Sequence, residues 1–277
     1  LTNNVAVTGG NSDGNFRLSY TNLLNNGIVP NTGLDRNTLN LAVNYALHPK
    51  IKLAANIGYT KNRSANRPTY NRGSVSNIVY TTTPNVDVKQ LRDYWAPGGE
   101  GRQQFSHVPG SMDNPYFVAY EFINSYDRNR LTGNVELNVQ LTKDLGLMGR
   151  TAMDMFNETR ENKRPFSSIR NPVGAYALET EYFREQNTDF LLTYKRSLSP
   201  DFFVSVSGGG NRMDQQGRST LLSTESLISP GVYNINNARA GTVSNNTYRF
   251  RKRINSLYGM AQLVFRHYAF LDITARN

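Results

Sequence analysis

Polar and apolar residues alternate with a period of two along much of this chain. In the stretch 131–141, Leu131, Gly133, Val135, Leu137, Val139 and Leu141 form one row, and Thr132, Asn134, Glu136, Asn138 and Gln140 form the other. Successive side chains of an extended strand point to opposite faces, so this strand has one apolar and one fully polar face. Residues 39–47 repeat the pattern, with Leu39, Leu41, Val43, Tyr45 and Leu47 opposed to Asn40, Ala42, Asn44 and Ala46. Residues 51–60 do so again through Ile51, Leu53, Ala55, Ile57 and Tyr59. Weaker versions predict strands over 3–9, 14–24, 146–160, 180–196, 202–215, 251–265 and 268–277. The pattern thus predicts ten strands, most of them longer than the soluble norm of about 5–6 residues.

The connections alternate in length. Short ones fall at 10–15, 48–50, 142–145, 197–201 and 266–267, and carry the Gly, Pro, Asp and Lys that suit tight turns. Longer ones run over 25–35, 63–127, 161–179 and 216–250. Short turns at one end and long loops at the other are the arrangement of a transmembrane β-barrel. Lipid offers the backbone no hydrogen-bond partner, so every strand must pair and the sheet must close, leaving the polar rows to line a lumen. Tyr20, Tyr59, Phe156, Tyr194, Phe202, Phe265, Tyr268 and Phe270 fall near strand ends, where aromatic girdles are expected. The stretch 63–127, expected to be an extracellular loop, is too long to lack structure of its own. Residues 74–83 and 88–95 read as short helices within it, separated by Pro84.

Composition narrows the class. The chain has 277 residues, of which 38% are apolar. Its longest apolar run is Tyr116 to Tyr120. A membrane-spanning helix needs about 20 such residues, so that kind of membrane protein is excluded, whereas a membrane strand of about 9–11 alternating residues is not. There is no cysteine, hence no disulfide framework and no thiolate metal site. The net charge of +10 suits anionic lipid, an anionic substrate or nucleic acid. The chain begins at Leu1 without a leader pattern and stops at Asn277 directly after a strand-like run, so both ends read as cuts within a longer barrel.

Four segments carry a family resemblance: NNGIVPN at Asn25–Asn31, PNVDVKQLRDYW at Pro84–Trp95, DNPYF at Asp113–Phe117 and DRNRLTGNVELN at Asp127–Asn138. Together, in their order and spacing, they resemble the SusC/RagA family of TonB-dependent importers of the Bacteroidetes outer membrane. The resemblance implies a 22-stranded barrel, of which this chain would supply about ten strands of one barrel domain. It further implies an N-terminal plug outside this chain, energy from the TonB complex, a SusD-like lipoprotein over the extracellular mouth, and glycans or peptides as imports.

Candidate chemistry is sparse. His48, His107 and His267 have no second ligand at i+3 or i+4, so no metal site is expected, and nothing calls for a cofactor. Gly208-Gly209-Gly210 lacks the Lys-Ser/Thr or helix of a phosphate loop and reads as room for close approach on a strand. Glu179, Glu181 and Glu185 read as a solvated rim rather than a catalytic carboxylate pair. Arg249, Arg251, Lys252 and Arg253 sit where a long loop re-enters a strand; contact with membrane lipid, specifically the phosphates of lipopolysaccharide, is favoured there over nucleic acid. Arg128 and Arg130 are read the same way. The best ligand candidates are Tyr94, Trp95, Phe105, Tyr116 and Phe117, whose aromatic faces lie among Gly, Asn and Asp and suit a sugar or peptide, or the lipoprotein lid. The competing reading is that these aromatics pack the loop's own small core. The expected function is therefore outer-membrane nutrient import without bond chemistry. A passive porin and a soluble β-rich binding or adhesion module are the alternatives.

Overall fold

The computed structural model describes residues 1–68, 73–266 and 268–277. It contains one antiparallel sheet of ten strands: β1 (Thr2–Asn11), β2 (Gly14–Asn26), β3 (Gly33–His48), β4 (Ile51–Ser64), β5 (Ile123–Gln140), β6 (Leu145–Phe166), β7 (Val173–Ser199), β8 (Phe202–Thr224), β9 (Ser244–Phe265) and β10 (Ala269–Arg276). Each strand pairs with its neighbours in chain order, with no crossover. All ten expected strands are present, and the expected tight turns at 10–15, 48–50, 142–145 and 197–201 each join a strand pair, while the one expected at 266–267 lies partly outside the described residues. His48 shapes one such turn by accepting from the Lys50 N–H at 3.2 Å. His267 lies outside the described residues.

The register fixes the faces. Leu18, Leu41, Ile57, Gly133 and Met153 are directly opposite one another across β2 to β6 and so share one side of the sheet. The adjacent row holds Asn40, Gly58, Thr132 and Asp154. Polar rows from β2 to β10, among them Arg17, Asn134, Asp189 and Arg276, border a single space of about 1400 Å3. The sheet therefore curls with its polar face inward.

Among the described residues, nothing covers the apolar row. Leu18 is 41% exposed and Leu257 65%. A soluble sheet would bury such a row against a second layer. The dry core lies instead in the loops, around Ile78, Leu91, Phe117 and Val118 and around Leu227.

Two long connections are shorter than expected. β6 and β7 run on until only 167–172 separates them, and β8 and β9 until only 225–243 does. β7 has 27 residues, against the about 9–11 that cross a bilayer. Past the bilayer both faces of a strand meet water, so alternation no longer marks it, and the sequence pattern stops before the strand does.

The connection 65–122 contains helix α1 (Val75–Thr81), a 3-10 turn at Val88–Leu91 and helix α2 (Pro115–Glu121). The first two lie inside the expected helical stretches, on either side of Pro84. Helix α2 was not expected, although its start is written in the sequence. Asn114 caps it by accepting from the N–H groups of Tyr116 and Phe117, and Pro115 follows at the first helical position.

Candidate functional site

Residues 73–122 fold into a cap seated on the long-loop end of the sheet. Asn114 is fully buried. Its side-chain amide donates to the carbonyls of Leu91 and Phe105, both at 2.9 Å, while its oxygen caps α2. Gln104, also buried, donates to Asp113 and to the Ser167 carbonyl, each at 2.6 Å, and accepts from the Asn114 N–H. Ser167 belongs to the β6–β7 connection, so this network ties two loops together. Asn124 ties the cap to β5 and β6: its amide donates to the Arg67 carbonyl at 3.1 Å, and its oxygen accepts from Arg164 at 2.8 Å.

The aromatic candidates divide by exposure. Tyr94, Trp95 and Phe117 form one cluster, with Trp95 edge-on to Phe117 at 5.2 Å between centroids. Phe117 has no exposed surface, which corrects its reading as a contact residue: it is the centre of the cap's core. Trp95 and Tyr94 are half-buried beside it. The Tyr94 hydroxyl donates to Glu121 at 2.9 Å. Burial and that carboxylate push its pKa up to about 12. Tyr116, on α2, is half-buried. Phe105 is 48% exposed, as are much of Tyr120 and nearly all of Tyr80, neither of which stood out in the sequence.

The inward wall below the cap carries a second group of residues. Phe156, Phe183 and Phe250 form a stripe across β6, β7 and β9, with centroids 5.4 and 6.5 Å apart. Gly217 makes room for it, since a Cβ there would stand 2.3 Å from the Phe250 ring. The Arg128 guanidinium stacks over Phe156 at 3.8 Å. Above the stripe, Glu158 pairs with Arg128 at 3.5 Å and with Arg160, which also reaches Glu179 at 3.2 Å. Below it, Arg130 grips Asp154 with two contacts of 2.8 and 2.5 Å.

Several sequence expectations are corrected by these faces. Phe156 lines the interior and is no girdle residue. Phe270, opposite Val264, likewise points inward. Arg128 and Arg130 point into the interior and meet carboxylates and a ring, not lipid. Glu179 and Glu181 belong to the interior ion-pair lattice rather than a solvated rim. Lys252 lies opposite Gln215, in the inward row of Thr132, Asp154 and Glu185, so it parts company with Arg249, Arg251 and Arg253, which face outward. Alternation alone separates Lys252 from its neighbours, but a charge run obscures it. The reading of the triple glycine holds for two of the three: Gly209 lies against the Phe190 carbonyl and the Tyr258 ring, and Gly210 under the Phe190 ring, whereas a Cβ at Gly208 would meet nothing within 4 Å.

A ten-strand meander with an outward apolar row, an inward polar row and a folded cap is a section of a transmembrane antiparallel β-barrel. Comparison with solved structures gives the particular kind. The chain superposes over its whole length on the RagAB peptide importer in the closed-closed state, with TM-score 0.79 and 18% identity, and on its open-open state with TM-score 0.77 and 17% identity. In each case it spans 31% of the matched chain's length. The siderophore receptor PiuA from Acinetobacter baumannii aligns with TM-score 0.55 at 10% identity, covering 99% of this chain and 40% of that one. No protein-family model and no curated protein sequence matches. The fold is thus that of a section of the RagAB barrel.

Proposed function

We propose that the protein is an outer-membrane nutrient importer of the SusC/RagA type, driven by TonB and working with a SusD-like surface lipoprotein. The observation that carries this is the fit of the whole chain to the barrel of RagAB, described as a peptide importer. The cap and the sheet support it. The interior wall is polar and ion-paired, so it suits a hydrated path, and its aromatic stripe offers flat faces to a peptide or a sugar ring. Peptides are favoured over glycans, because the Arg128–Glu158–Arg160 lattice presents both charge signs, which can meet termini and charged side chains. In this reading residues 65–122 face the exterior, where Phe105, Trp95, Tyr94 and Tyr116 stand nearest to cargo or lid.

Growth tests the reading. A strain lacking the protein should fail on a peptide mixture as sole nitrogen source and grow normally on free amino acids, with rescue that depends on TonB. Rescue without TonB would point to a passive porin instead. Cysteines placed at Gln103 and Asp144 in intact cells test orientation, and an impermeant thiol reagent should label only the first.

A further inference from the structure

We propose that the outward face of β7–β9 holds a binding site for a phosphate-bearing lipid of the outer leaflet; the inference rests on the outer-membrane reading. Three observations meet at this place. Arg184, Arg212, Arg218, Arg249, Arg251 and Arg253 all lie in outward rows, because each is opposite, or two residues along from, a position opposite an apolar-row residue. Asp214 is the one carboxylate among them on β8 and β9. It is shared by Arg212, Arg251 and Arg253 at 2.8, 3.8 and 2.8 Å, which spaces their guanidinium groups around one point and leaves their charge in large excess.

The second observation is height. On β8 the outward row reads Phe202, Val204, Val206, Gly208, Gly210 and then Arg212; on β9 it reads Phe265, Leu263, Ala261, Gly259, Leu257, then Asn255 and Arg253. Each apolar part matches the about 9–11 residues that cross a bilayer. The arginines therefore begin where hydrocarbon ends and headgroups start.

The third is relief. A side chain at Gly149 or Gly208 would meet nothing within 4 Å, and one at Gly259 only the Ser207 carbonyl at 3.7 Å. These outward glycines leave a trough in the apolar belt beside Phe190 and Leu257, which project as exposed ridges. A trough directly below a guanidinium cluster fits an acyl chain under a phosphate. Arginine forks bind phosphate oxygens in pairs, and the site's edge position keeps both parts in reach. The ladder row of Arg218 and Arg249 carries Asn22, Asn37, Lys61 and Asn129 on β2–β5, with Asp35 and Asp127 one outward step further on, so the excess charge is local to β7–β9.

The test uses the full-length protein reconstituted in neutral-lipid nanodiscs and titrated with bisphosphorylated lipid A, read by native mass spectrometry. The variant R212Q/R249Q/R251Q should bind at least about tenfold more weakly, as loss of charge-assisted bonds requires. K252Q changes the same charge one residue away on the opposite face and should bind like the unaltered protein. Dephosphorylated lipid A should bind both forms equally and weakly. Unchanged affinity in the triple variant, or equal loss in K252Q, would overturn the proposal. Preferential binding of an acidic peptide over lipid A would assign the patch to a protein partner and overturn it too. Failure of the unaltered protein to enter nanodiscs would instead refute the membrane reading beneath it.

Discussion

The Tyr59 hydroxyl donates to the Asn129 side-chain oxygen at 2.8 Å, across the β4–β5 pair and one step nearer the loops. Tyr20 does the same to Asn37 at 2.5 Å across β2–β3. Both rings lie in the apolar row, opposite or beside Leu39 and Leu131, and both hydroxyls reach a ledge of asparagine just above it. An aromatic ring with its body in hydrocarbon and its tip in a polar layer marks the boundary of the apolar belt. Y59F should lower stability in lipid by about 1 kcal/mol, the usual net value of one hydrogen bond. N129A should cost a similar amount, and the double variant no more than either alone. Additive losses in denaturant titrations would show that the two groups act separately.

The in-and-out assignment can be tested within one strand. Leu137 is in the outward row opposite Leu53, and Asn138 is in the inward row opposite Lys52. L137R should cost about 2–4 kcal/mol in a lipid folding titration, since it places a charge in hydrocarbon. N138R should cost far less. Equal costs would mean the polar face is not the lumen.

Asn114 holds the cap together with four hydrogen bonds from a fully buried side chain. N114L leaves two carbonyls and two amide N–H groups without that partner, at about 1–3 kcal/mol for each that stays dry. The cap should open while the sheet persists. Hydrogen exchange should rise across residues 74–121 and remain unchanged in β5 and β6. Protection retained across the cap would show that the aromatic cluster suffices on its own.

Tyr94 gives the cap a pH dependence. Its pKa is raised from 10.0 to about 12 by burial and by its bond to Glu121. Because the folded value lies above the unfolded one, its contribution is complete below pH about 10 and is lost as pH rises through about 12. Exchange within the cap should therefore accelerate over that window in the unaltered protein, and the Y94F variant should show a flatter profile. An identical profile in Y94F would assign the alkaline sensitivity to another group, such as Tyr233, whose pKa burial also raises to about 12.

The belt of this fold was legible in the sequence because hydrocarbon on one side and water on the other impose a strict alternation, as at 131–141. Beyond the belt that contrast vanishes. Residues 161–166 and 216–224 are strand all the same, held by the β6–β7 and β8–β9 ladders, and nothing in their side chains announced it. The aromatic candidates of the cap were found, but sequence could not tell Phe117, at the centre of a core, from Phe105, at its surface. Helix α2 was overlooked although Asn114-Pro115 carried its signal. Alternation with Leu131 puts Arg128 on the inward face, but the basic pair was read as a lipid contact; its partner Glu158 is thirty residues on and meets it only through the β5–β6 register.

The strict neighbour-to-neighbour order of the ten strands also bears on how such a wall is made. Each new strand finds its partner in the hairpin just completed, so pairing can advance like a zip and loop closure stays inexpensive even in a large sheet. The growing sheet nevertheless carries a bare backbone edge at every stage, and hydrocarbon cannot satisfy it. Insertion into a bilayer must then keep step with pairing, so that the advancing edge is never left unpaired in hydrocarbon.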